Sequence, residues 1–204
     1  MPSPELAEAD GLLAIGGDLS PERLINAYKM GIFPWYNPDE EILWWSPDPR
    51  FVLFPEELKI SKSMQQVLRK NPFRISFNTA FHEVISNCKN VDRKGQDGTW
   101  ISNEMKNAYQ GLHHLGIAHS VEVWKDQQLV GGLYGLRLGK VFFGESMFAL
   151  ESNASKFAFI HYVQKLQKEG VNLIDCQQET KHLASLGARS IKRKDFLKQL
   201  NENV

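Results

Sequence analysis

Two short segments carry the side chains best suited to hydrogen-bonding or acid–base chemistry in this 204-residue chain: LIDCQ at 173–177 and GESMF at 144–148. On a strand, alternate side chains share a face, so Asp175 and Gln177 point together and Cys176 points away. A carboxylate and an amide at that spacing hold one reacting group, bind each other, or cap a neighbouring helix from a polar strand end. Glu145 lies among aromatic and apolar neighbours, where an acid needs a partner or a raised pKa. That requirement fits a catalytic group and a buried structural ion pair equally well. Cys176, His182 and Asp175 have the residue types of a thiol triad, but alternation aims the sulfur away from Asp175, so Cys176 reads as structural.

Other residues bear on binding. Gly131, Gly132 and Gly135 in GGLYG bring backbone against a ligand, bulge the strand, or make room for a packed neighbour. The GxxxxGK[ST] phosphate loop is absent. His113, His114 and His119 lack an acidic partner pattern, and Cys88 and Cys176 form no CxxC, so neither a metal site nor a disulfide framework is expected. Lys59, Lys62, Arg69, Lys70 and Arg74 cluster around one short helix, as a solvated face or a phosphate-backbone contact. The stretch GIFPWYNPDEEILWWSPDPR sets Trp35, Trp44 and Trp45 between prolines that fix φ and remove donors. It must run as turns and short extended pieces, whose flat rings grip something planar or fill the core.

The elements that must position these groups follow from periodicity. Ser20 and Pro21 open a helix with Leu24, Ala27 and Tyr28 inward, and Gly31 stops it. RFVLF reads as a short strand. Texture changes near Lys59, which suggests a small domain over 1–58 and a second over 59–204. In the second, Ser63 caps a helix broken at Asn71-Pro72, FRISFN alternates like a strand, and Thr79–Cys88 is helical. Ser102 caps a helix whose Met105, Ala108, Tyr109 and Leu112 obey the i, i+3, i+4, i+7 rule. AHSVEVWK, QLVGGLYGLRLG and KVFFGESMF form an antiparallel meander. A helix over Ser152–Gly170, the buried-type strand VNLIDCQ and a basic helical tail complete the order. It fits an α+β fold: a mixed, mostly antiparallel sheet flanked by helices, of the N-acetyltransferase type.

Lys and Arg total 24, as do Asp and Glu, and this zero balance argues against a general nucleic-acid coat while allowing a local basic patch. Acids stand at the start of the chain where a secretory leader has basic residues, and no apolar run is long enough to span a membrane. A monomer in the reducing cytoplasm, with no membrane association, is the expectation.

Taken together, GLLAIGGDLSPERL, GIFPWY, ILWWSPDPR, GTWI, AHSVEVW, LVGGLYG, FFGESMF, SNASK, LIDCQ and HLASLGA, in order from Gly11 to Ala188, resemble the leucyl/phenylalanyl-tRNA–protein transferase family. The resemblance implies transfer of leucine or phenylalanine from Leu-tRNA or Phe-tRNA to acceptor proteins beginning with Arg or Lys, which marks them for N-degron degradation. It implies a small N-terminal domain before an acetyltransferase-like domain. Trp35 and Trp100 then hold the terminal adenosine of the tRNA, with Trp44 and Trp45 packing the loop behind. Leu133, Phe142 or Phe143, Met147 and Ile174 form a pocket for side chains unbranched at Cβ. Gln177 accepts a hydrogen bond from the attacking α-amine, Asp175 orients Gln177, and Glu145 recognises the donor's ammonium. The ester is already activated, so no cofactor is implied. Two alternatives remain: a relative acting on N-terminal Asp or Glu, and a non-catalytic module that binds aminoacyl-tRNA.

Overall fold

The computed structural model describes residues 1–91 and 101–204. After a short 3-10 turn come β1 (Leu12–Ile15), α1 (Pro21–Lys29), β2 (Phe33–Pro34), β3 (Leu43–Trp45) and β4 (Arg50–Leu53). Then follow α2 (Lys62–Lys70), β5 (Arg74–Phe77), α3 (Phe81–Asn90), α4 (Asn103–His114), β6 (Ala118–Lys125), β7 (Gln128–Leu138) and β8 (Val141–Ala149). The chain finishes with α5 (Ala154–Lys168), β9 (Leu173–Gln177), α6 (Lys181–Ala184), β10 (Arg189–Ile191) and α7 (Arg193–Asn203).

Most helix limits follow their local signals. Pro21 stands in the first turn of α1, and Gly31 follows its end with φ +73°. The Ser102 side chain accepts from the N–H of Met105 and so caps α4. One cap differs from expectation. Ser61, not Ser63, accepts from the N–H of Met64, so α2 starts a residue before Ser63. Asn71 closes that helix in the left-handed conformation.

A small sheet has the order β1-β3-β2, and the main sheet has seven strands in the order β10-β4-β9-β8-β7-β6-β5. Every pair in the main sheet is antiparallel except β8 with β9. Helices cover both of its faces, so the expected α+β architecture with a mixed, mostly antiparallel sheet is the one found. On one face Tyr28 of α1, Val84 of α3, Tyr109 of α4 and Phe196 of α7 share a core with Trp44 of the small sheet and Phe143 of β8. On the other, Met64 of α2, Phe157 and Ile160 of α5 and Leu183 of α6 pack on Phe142 and Ile174. The main sheet takes up the chain at Arg50, ahead of the expected boundary at 58/59. The change of texture near Lys59 marks the approach to α2, whereas β4 is already buried throughout.

Two irregularities shape the site. Parallel pairing of β8 with β9 ends at Phe143 opposite Asp175, while β8 runs on to Ala149 against β7. The two strands therefore part beyond that point and leave a wedge. Within β8, Gly144 pairs with Gly135 and Ser146 with Tyr134, so Glu145 is the extra residue of a bulge. A bulge re-aims one side chain without ending the strand.

Candidate active site

The wedge opens into a cavity of about 620 Å³. Its apolar wall is made by Leu133, Phe142, Met147 and Ile174 from the sheet and Phe159 from α5. Phe33, Pro34 and Trp35 border it from the small sheet, while Glu145 and Gln177 supply polar groups. The residues expected to form an amino-acid pocket thus come together, with one correction. Phe143 belongs to the opposite core, where its ring meets Tyr28 edge-on at 5.1 Å, because it alternates with Phe142 along β8. It does not line the cavity.

Asp175 is fully buried and pairs with an equally buried Arg50. Arg50 Nε donates to Oδ1 at 2.8 Å and one terminal nitrogen donates to Oδ2 at 2.7 Å. The guanidinium lies 4.7 Å from the ring centres of both Phe33 and Phe196, so β4, β2 and α7 all hold it. Asp175 Oδ1 also accepts the backbone N–H of Gln177 at 2.9 Å. Gln177 takes φ 62°, a left-handed conformation rare for a residue with a Cβ. The bond from its N–H fastens that turn, and Asp175 touches Gln177 through the main chain where alternation had suggested the side chain.

The Gln177 side chain turns to Glu145, its Nε2 donating to Oε1 at 2.9 Å. Its carbonyl oxygen is then the end of the amide not tied to the carboxylate. The Tyr28 hydroxyl donates to Glu145 Oε1 at 2.8 Å, and the Tyr109 hydroxyl donates to Oε2 at 2.9 Å. The two phenol oxygens stand 2.5 Å apart. Burial pushes the Glu145 carboxyl from 4.5 up to about 7; the hydrogen bonds from Tyr28 and Tyr109 pull it down and the charge of Asp175 pushes it up. Burial, followed by the nearby Glu145 charge, drives both phenols well above their ordinary range.

The other singled-out residues sort as follows. Trp35 borders the cavity and meets Trp45 edge-on at 5.8 Å. Trp45 Nε1 donates to the Trp35 carbonyl at 2.6 Å, and buried Trp44 donates to the Gly16 carbonyl at 2.9 Å, so both pack the loop that carries Trp35. Trp100 lies outside the described residues. The GGLYG glycines meet the protein itself: a Cβ on Gly131 falls 2.6 Å from Ala154 Cβ, and one on Gly132 falls 2.6 Å from the Val121 carbonyl oxygen. They make room for packed neighbours. Lys59, Lys62, Arg69, Lys70 and Arg74 are all exposed on or beside α2, which packs on α5. Cys176 borders the cavity with its thiol pushed up chiefly by burial, as a structural cysteine requires. His182 also borders the cavity; its Nε2 is buried without a hydrogen-bond partner among the described residues.

Sequence reasoning placed Tyr28 and Tyr109 in helical core stripes and passed over Arg50. Signals for all of them existed. A tyrosine on a buried stripe must still find a partner for its hydroxyl, and Glu145 had an unmet need for donors. Arg50 heads an apolar strand and Asp175 sits in another, so each required the opposite charge.

A mixed α+β sheet whose parallel strands part over an apolar cavity, with a carboxylate and an amide at its polar end, frames a substrate site of the kind enzymes build. The family model for leucyl/phenylalanyl-tRNA protein transferase matches residues 52–201, and the model of that family's N-terminal domain matches 17–48. The leucyl/phenylalanyl-tRNA–protein transferase of Christiangramia forsetii is 60% identical over 201 residues, 98% of this chain and 95% of that protein. That of Flavobacterium johnsoniae is 61% identical over 196 residues, 95% and 92% of the two chains. Among solved structures, a GCN5-related N-acetyltransferase from Kribbella flavida matches with TM-score 0.40 and 10% identity, over 83% of this chain and 60% of that one. The chain belongs to the leucyl/phenylalanyl-tRNA–protein transferase family and is an aminoacyltransferase. No helix among the described residues is long and apolar enough to cross a membrane.

Proposed function

We propose that this aminoacyltransferase moves leucine or phenylalanine from Leu-tRNA or Phe-tRNA to acceptor proteins whose first residue is Arg or Lys, and so marks them for N-degron degradation in the cytoplasm. The observation that carries the reading is the single cavity running from the Trp35 ring, past an apolar wall, to Glu145 and Gln177. The terminal adenosine stacks on Trp35, since base stacking needs no sequence readout. Family resemblance assigns the second ring to Trp100. The donor side chain lies against Leu133, Phe142, Met147 and Ile174. Met147 adapts to either shape, and a branch at Cβ would meet the wall.

The reaction is aminolysis of an ester. The acceptor's neutral α-amine attacks the carbonyl carbon, the new C–N bond forms as the ester C–O bond breaks, and the proton the amine loses passes to the leaving ribose oxygen, directly or through water. A reference pKa of about 7.7–8.0 leaves a useful fraction of the amine neutral near pH 7, so orientation counts for more than basicity. The Gln177 carbonyl accepts the amine's N–H, and Asp175 holds the turn that aims it. Glu145 faces the donor's α-amino group. The exposed cluster Lys59, Lys62, Arg69, Lys70 and Arg74 guides the tRNA backbone. The enzyme works as a monomer.

The test uses the purified chain with charged Leu-tRNA or Phe-tRNA and peptides beginning with Arg, Lys, Asp or Glu. Product with Arg and Lys peptides alone is the expected result. Product with Asp or Glu peptides would assign the other acceptor class, and tight tRNA binding with no product would leave a binding module.

A further inference from the structure

β8 loses one of its two neighbours partway along its length. Its pairing with β9 stops at Phe143, while its pairing with β7 continues to Ala149. One edge of the strand from Glu145 to Ala149 therefore borders the cavity and meets no strand among the described residues. Main-chain donors and acceptors on such an edge are a template for another extended chain.

The register tells which groups the edge presents. Just past the strand, the Leu150 N–H donates to the Val130 carbonyl at 2.8 Å, so these two residues form a hydrogen-bonded pair. Bonded and non-bonded pairs alternate along an antiparallel ladder. Phe148 and Ser146 are then bonded to their β7 counterparts, Gly132 and Tyr134. Met147 and Ala149 fall at the non-bonded positions, and their N–H and C=O groups point away from β7 into the wedge. A further polar group faces the same cavity from the segment that follows β9: His182 Nε2, without a hydrogen-bond partner among the described residues. These needs suit a ligand rich in amide groups, beyond the apolar side chain that the inner wall accepts.

We propose that the open edge of β8 binds the first residues of the acceptor protein as an added parallel strand, through main-chain hydrogen bonds to Met147 and Ala149. The inference rests on the transferase reading above and carries it to the acceptor. Direction follows from the chemistry. The acceptor's α-amine must reach the Gln177 carbonyl at the inner end of the edge, and the rest of a folded protein must leave by the mouth. The acceptor then runs as β8 runs, along the edge that β9 has vacated, and β9 is itself parallel to β8.

Register then assigns each bond. Phe143 stands opposite Asp175, so the level of Gln177 is that of Glu145. An acceptor whose α-amine reaches that level has its first residue opposite Ser146 and its third opposite Phe148. In a parallel ladder a residue donates its N–H to the carbonyl one place before its counterpart and accepts from the N–H one place after. The third residue thus donates to the Met147 carbonyl and accepts from the Ala149 N–H. The first residue's carbonyl accepts from the Met147 N–H. The second and fourth residues turn their N–H groups away from β8. Main-chain pairing supplies affinity without reading side chains, which suits acceptors that share a first residue and differ afterwards.

Steady-state transfer by the full chain from saturating Phe-tRNA tests this with hexapeptides that begin with Arg and carry one N-methyl group on the main chain. Methylation of the third residue's amide should raise the peptide's KM by about threefold or more with kcat kept, the loss expected for one hydrogen bond. Methylation at the fourth residue should change KM by less than about twofold. Ala149→Pro removes one donor of the open edge and no bond to β7. It should raise KM for the unmodified peptide by about the same factor and leave KM for Phe-tRNA as it was. Equal KM values for the third- and fourth-residue peptides overturn the inference and leave the transferase reading intact, as does an unchanged peptide KM in a folded Ala149→Pro chain. No transfer to the unmodified Arg hexapeptide overturns the acceptor reading and this inference with it. The peptide series uses the wild-type chain and stands whether or not the variant folds.

Discussion

Arg50→Met keeps much of the apolar stem between Phe33 and Phe196 and deletes both donors to Asp175. The two side chains are 1% and 0% exposed, so water cannot replace the lost cation. Removing one partner of a buried pair costs about 3–5 kcal/mol, because the other charge remains buried and unpaired. At about 2–4 °C per kcal/mol for a chain of this size, melting should fall by roughly 6–20 °C. Adding Asp175→Asn removes the stranded charge and keeps an oxygen for the Gln177 N–H. The double variant should therefore recover most of the loss, a coupling that only a direct interaction produces. Thermal and urea unfolding give the stabilities, and single-turnover transfer well below either melting point reports whether Gln177 still aims correctly. Transfer should drop further in the single variant than in the double. A loss under about 1 kcal/mol for Arg50→Met, or a double variant as unstable as the two single losses summed, would show that the pair does not hold this turn.

Three more outcomes are expected. Trp35→Ala should weaken aminoacyl-tRNA binding by about 1–3 kcal/mol, roughly 5- to 150-fold, without altering acceptor choice; unchanged affinity removes the ring from the stacking role. A Cβ on Gly135 falls 2.1 Å from the Phe143 carbonyl oxygen and 2.5 Å from the Phe142 ring, so Gly135→Ala should lower the melting temperature, whereas normal stability with lost donor binding would restore the ligand-approach reading. Glu145, raised from 4.5 to about 7 on folding, holds more protons folded than unfolded between those values. Its contribution to stability is present below about 4.5 and is lost as pH rises through about 7. Glu145→Gln should flatten that part of the stability–pH profile, and an unchanged profile would show that another group titrates there.

Much of the scaffold was legible because long periodic segments leave few choices. The stripes of α1, α3, α4 and α5 and the alternation of β6, β7 and β8 each name the face that must be buried. Short pieces escaped for the opposite reason. The strands of the small sheet and β10 have two to four residues apiece, too few for any period to show. Ser61 and Ser63 offered the same chemistry at the start of α2, and only the geometry of the turn chose between them.

The site was legible by residue type and illegible by geometry. Asp175, Gln177 and Glu145 stood out as polar groups in apolar strands, yet regular alternation mis-aimed Gln177. It leaves its strand through a left-handed turn, so its side chain does not follow the period of β9, and the bulge at Glu145 left no mark on the local pattern. Phe143 failed for the converse reason: it does follow the period, and alternation with Phe142 carries it to the far face. What ties the irregular residues down is a set of complementary needs scattered along the chain. Arg50 and Asp175 are 125 positions apart, and Tyr28 and Glu145 are 117. No local window contains both members of either pair. Each member, taken alone, is still an unmet demand for charge or for a hydrogen bond, and the folded site is where those demands cancel.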